Sequence, residues 1–202
     1  MQRELLIESI RKAFHGVKLE EGIGLWEAQG LDDYLPAAQC KKLREVDERE
    51  DWRKIPVINL YKCSSSLSFF DAKGFRFHLP IFLLFALDVF EEEEDRLFEE
   101  GLVEAYAAPE VEFHLTNVVD YTKATSHEEK MMYAYHEERF SLLNKPQVTC
   151  VIDFLQYRLT EIATYSSTYH TKNFDASPAT VNSNRYYSRL KKALAYWTAK
   201  RL

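Results

Sequence analysis

The chain has 202 residues, 46% of them hydrophobic and 14% aromatic, which excludes a disordered chain and suffices for one well-filled domain. A net charge of −6 argues against general nucleic-acid binding by the whole surface. Cys40, Cys63 and Cys150 lie far apart and form no CxxC or Cys/His pair, so they read as reduced core thiols, not as a disulfide frame or a zinc site.

The first residues, MQRELLIESIRKAF, scatter charges among apolar positions, unlike a signal peptide. Leu79 to Leu87 is the longest apolar run and is far shorter than a membrane span. A soluble, cytoplasmic protein is expected.

Leu6, Ile7, Ile10 and Phe14 share one helical face, and Gly16 follows as a C-terminal cap. A second helix is expected from Leu25 to Leu35, with Trp26, Leu31, Tyr34 and Leu35 on its apolar side and Pro36 ending it. Ala37 to Val46 reads as a third helix. A charged stretch from Glu45 to Lys54 is interrupted by Trp52, a candidate binding residue. Pro56 opens a short helix holding Val57, Ile58 and Leu60, and Ser64 to Ser66 form a loop.

Asp71-Ala72-Lys73-Gly74 carries Asp and Gly where a type I turn with a glycine bulge needs them, and Phe75, Phe77 and Leu79 alternate with Arg76 and His78. These features predict a hairpin that pairs Phe70 with Phe75. Pro80 suits the first turn of a helix, and Ile81 to Leu87, apolar on every side, predicts a centrally buried one. The run Glu91 to Asp95 emerges into solvent while Leu97 and Phe98 hold one side down. Val111, Phe113 and Leu115 alternate with Glu112 and His114, the period of a third strand.

Ser126 and Glu129 form a capping box before a helix supported by Met131, Met132 and Tyr135. Asn144 and Gln147 give a similar start signal for Val148, Val151, Ile152, Leu155, Leu159 and Ile162. The Ser, Thr, Asn and Tyr content of residues 165–184 reads as a connection. A last helix carries Tyr187, Leu190, Leu194 and Trp197. The expected fold class is α+β, predominantly α, with a small antiparallel hairpin of two or three strands packed on a buried central helix. Residues 1–164 form the single domain, 165–184 the connecting segment and 185–202 a basic C-terminal helix docked on the body.

The succession GIGLWEAQGLDDYL, DW with IP, LSFFDAKGFRFHLP, VEFHLT and RFSLLNKPQVTCVIDFLQY resembles a bacterial family of uncharacterised proteins with an LSFxDAxGFRFxLP signature. The resemblance spans about residues 20 to 160. It implies no reaction, cofactor or catalytic residue.

On a strand, Arg76 and His78 would share a face near Asp71, a polar cluster able to bind an anion or move a proton. The blander reading makes Asp71 a turn cap, stacks Arg76 on Phe69 and packs His78 at the helix entrance. His127 and His136, nine residues apart, face opposite ways on a helix and lack a second metal-site histidine, so no metal is expected. No phosphate loop or GxSxG motif occurs, and no cofactor is expected.

From Ser177 onward the chain has six cations (Arg185, Arg189, Lys191, Lys192, Lys200 and Arg201) and no acid, leaving −12 on the remainder. Such a helix can meet an anionic membrane, a nucleic acid or a partner, or can dock on its own acidic body. The leading expectation is a non-enzymatic protein-interaction module, immunity-like or adaptor. The competing ones are a small hydrolase or transferase using Asp71, Arg76 and His78, and an anion, membrane-surface or nucleic-acid contact through the basic helix.

Overall fold

The computed structural model describes residues 2–104, 107–118, 124–173 and 185–201, with the backbone alone for 165–173. Among them every regular element is helical. The chain runs α1 (Arg3–Ala13), α2 (Leu25–Asp32), α3 (Ala37–Val46), α4 (Val57–Lys62), α5 (Ala72–Phe85), α6 (Glu91–Glu99), α7 (Val111–Thr116), α8 (His127–Arg139), α9 (Lys145–Asn173) and α10 (Arg185–Lys200), with 3-10 turns at Trp52–Lys54 and Ser66–Ser68.

The α+β expectation is therefore corrected to all-α: no strand forms among the described residues, and the hairpin does not exist. Its turn is the start of α5. Asp71 is the N-cap and its side chain accepts from the Gly74 amide at 2.8 Å. An Asp three residues before a Gly closes a type I turn or caps a helix equally well, because the first turn of a helix has nearly the same backbone path. What decides is the company the segment keeps. Phe75, Phe77, His78, Leu79 and Pro80 are all buried, and only Arg76 among them is half-exposed. The alternation was thus aromatic against polar, not inside against outside. Pro80 falls inside the helix, where it removes one backbone bond at a cost of about 3 kcal/mol. Full burial of Phe75, Phe77, Leu79 and Leu83 offsets that cost, at about 1.5–3 kcal/mol for each large apolar side chain.

The third strand is likewise corrected. Residues 111–116 form a short helix that buries Val111, Leu115 and Thr116, a helical spacing, and leaves Phe113 largely exposed. A single turn and a half carries too few positions for the two periodicities to be told apart.

The central spike α5 is enclosed. α1 packs on α5 and α9, α8 and α7 lie against α5, and α10 covers α9 and α7. The Trp52 turn closes another side of α5, and Trp52 donates its indole N–H to the Phe14 carbonyl at 3.0 Å. Both start signals of the second half form as expected: Ser126 and Glu129 make the reciprocal capping box, and Asn144 and Gln147 exchange bonds at 3.0 and 3.1 Å. Helix α9 continues through Asn173, into the stretch read as a connection; residues 174–184 of that stretch lie outside the described residues. No described helix is long and apolar enough to cross a membrane.

The second helix ends three residues earlier than expected, and its apolar side is different. Leu25, Ala28 and Gly30 are buried, whereas Leu31 is exposed and Tyr34 stands 94% exposed. Tyr34 lies past the helix end at φ +55, in the left-handed position of a Schellman cap: the Leu35 amide donates to Gly30 and the Tyr34 amide to Leu31.

Candidate functional site

The sequence cluster does not converge. Along α5, positions 76 and 78 lie about 200° apart at 3.6 residues per turn, so the side chains that a strand would align point away from each other. Asp71 caps the helix and also accepts the Ile23 amide at 3.1 Å. Arg76 reaches Glu20 at 3.4 Å, beside Lys73, which holds the same carboxylate at 2.9 Å. His78 turns into the core. Trp52 is buried at 3% exposure.

His78 is the group whose environment is unusual. It is 1% exposed, stacked on Phe70 with ring centres 4.4 Å apart, and edge-on to Phe77. Its Nδ1 lies 2.8 Å from the Gly74 carbonyl. A carbonyl only accepts, so Nδ1 carries the proton. Burial pushes the imidazole down to about 4, against the weaker pull of that bond and of Asp71, so the ring is neutral near pH 7. Its Nε2 is consequently a bare lone pair, and no donor reaches it.

His78 is among the residues that line a half-open cleft of about 310 Å³. The walls come from four segments: Leu25 and Trp26 at the start of α2, Val46, Asp47 and Glu48 at the end of α3, Lys54, Ile55 and Pro56 at the end of the Trp52 turn, and Asn59 on α4. Asp47 fixes two of them together. Its carboxylate accepts the Trp26 amide at 2.7 Å and the Glu27 amide at 3.2 Å, capping α2 from another helix, because Gly24 at the N-cap has no side chain to do so. A β-carbon on Gly24 would collide with that carboxylate. Burial pushes the Asp47 carboxyl above its usual range, opposed by the two amides. Glu27 then takes both Nε and Nη2 of Arg44, at 2.7 and 2.8 Å, tying α3 to α2 again.

Asp47, Asn59 and Gly24 were not singled out in the sequence. The spacing of Gly22 and Gly24 marks close backbone approach in hindsight, but nothing local to Asp47 announces that it caps a helix twenty residues upstream.

The basic C-terminal residues separate into two groups. Arg185, Arg189, Lys191 and Lys192 are exposed; Arg189 lies over the Tyr186 ring and Lys191 over Tyr187. Lys200 pairs with Glu137 of α8 at 2.9 Å, and Arg201 is half-buried. His127 and His136 do not meet, and no group of metal-ligating residues forms among the described ones. Cys63 and Cys150 are buried and both thiols are pushed up to about 12, chiefly by that burial.

A family model matches residues 1–201, well beyond the stretch that carried the resemblance; the family is described as one of unknown function, DUF6714. No curated protein and no solved structure matches the chain.

Proposed function

We propose that this chain, which belongs to the DUF6714 family of unknown function, is a non-enzymatic protein-interaction module that seats one donor-tipped side chain of its partner, of the tyrosine or tryptophan kind, in the cleft over His78. The observation that carries this reading is that His78, whose buried Nε2 meets no donor, lines a half-open cleft. A buried acceptor without a donor costs about 1–3 kcal/mol, which an arriving O–H or N–H recovers. The walls suit an aromatic body, with the buried Leu25 and Ile55 beside the exposed Pro56 and the 67% exposed Val46. The volume matches one large side chain and its water, at the small end of ligand pockets. Buried aromatic anchors with a polar tip dominate many interfaces.

Geometry also speaks for binding over covalent chemistry. Asp71 and one nitrogen of His78 are engaged in holding α5, and Ser66, the buried serine of the loop run, donates to the Leu25 carbonyl at 2.8 Å.

Phenol and toluene are the probes, read on the His78 ring by 15N NMR. Phenol should move Nε2 saturably and toluene should not. Asn59→Trp, which fills the mouth, should abolish the phenol response and the capture of any partner that the wild type retains. A His78 resonance indifferent to phenol would end this reading.

A further inference from the structure

Several arginine forks among the described residues are filled. Arg44 sets Nε and Nη2 on Glu27, and Arg53 sets the same two atoms on Asp51 at 2.7 and 2.9 Å. Arg139 differs. It is only 4% exposed, more deeply buried than either, yet its Nε and Nη2 have no hydrogen-bond partner. Its remaining nitrogen, Nη1, lies 3.5 Å from Nδ1 of His114. The guanidinium carbon sits over the Phe75 ring, 4.5 Å from its centre, and over that of Tyr135 at 5.6 Å. Those rings face the cation with π density but satisfy none of its in-plane N–H groups.

We propose that the Nε–Nη2 edge of Arg139, at the junction of α5, α7 and α8, is a receptor for an oxyanion, the carboxylate or phosphate group of a ligand. Nε–H and Nη2–H point the same way and form the side-on fork that grips two oxygens of one anion. A buried cation without a counter-charge is strongly unfavourable, and among the described residues no carboxylate pairs with it. His136, whose Nδ1 is also buried and unpartnered, adjoins on α8 and stacks on Phe140. Burial lowers the Arg139 guanidinium to about 10, which leaves it charged near neutrality. The site is independent of the His78 cleft and stands or falls separately.

The test uses the full chain with inorganic phosphate, acetate and, at matched ionic strength, chloride. The Arg139 Nε–H resonance should shift saturably with phosphate or acetate and not with chloride, and the melting temperature should rise along the same titration. A response to phosphate alone assigns a phosphoryl ligand, and a response to acetate assigns a carboxylate. Arg139→Lys keeps the charge and removes the fork, so its affinity should fall about tenfold or more. Absence of a saturable shift in the wild type with either anion overturns the proposal, whatever the variant does. An Arg139→Lys protein that binds as tightly as the wild type overturns it too.

Discussion

The indole Nε1 of Trp197 donates to the Leu115 carbonyl at 2.9 Å, fastening α10 to the short helix α7. The ring is fully buried and packs on Phe140 at 4.7 Å, while its neighbour Tyr196 donates to Glu137 at 2.6 Å. Trp197→Ala should therefore destabilise by about 3–5 kcal/mol and Trp197→Phe by clearly less, because the phenyl keeps most of the packing and loses only the bond. Urea unfolding of the two variants separates the contributions. Equal midpoints for Trp197→Ala and the wild type would mean that α10 does not contribute to the body.

Tyr34 gives a prediction of the opposite sign. Its side chain is 94% exposed and its backbone occupies the left-handed region at φ +55. Replacing it by glycine removes the steric penalty of that conformation and sacrifices almost no packing. Tyr34→Gly should stabilise by about 1 kcal/mol, visible as a melting temperature raised by a few degrees. Tyr34→Val, with a branched side chain in the same conformation, should lower it.

The cap that Asp47 places on α2 depends on the absence of a side chain at Gly24. Asp47→Ala leaves the Trp26 and Glu27 amides unmet and should cost about 2 kcal/mol. Gly24→Ala should cost at least as much although it changes no hydrogen-bonding group, since the carboxylate must move. If denaturation midpoints show Gly24→Ala to be neutral, the close approach is not structural.

Mild acid should weaken the fold through its buried histidines. Burial lowers His78 and His136 to about 4 and His114 to about 3, from an ordinary value of 6.5. The unfolded chain binds these protons first, so the stabilisation is complete above pH 6.5 and is lost as pH falls toward 4. At pH 5.5 the loss is about 1.4 kcal/mol for each of His78 and His136. Asp47, Glu94, Glu112 and Asp153, pushed up by burial, run the other way. Urea midpoints should fall between pH 7.5 and 5.5, and less steeply in His136→Phe. A flat profile over that range would show that these rings titrate as in the unfolded chain.

What local chemistry alone could settle was settled in the sequence. The first helix, both reciprocal caps of the second half and the buried run after Pro80 all follow from periodicity and from side chains bonding backbone within four residues. Two places depended on distant neighbours. Asp71 to Leu79 satisfies the local rules of a hairpin as well as those of a capped helix, and only enclosure by α1, α7, α8 and the Trp52 turn makes the helix the lower state, since every residue from Phe77 to Phe85 is buried. That choice also reassigned the chemistry: it rotated Arg76 away from His78, buried the imidazole, and created beneath the start of α2 a cleft whose walls come from four separated segments. The seat of Asp47 on α2 and the empty fork of Arg139 are likewise relations between segments tens of residues apart. No local pattern encodes them, because burial and an unmet hydrogen bond are properties of the packed chain.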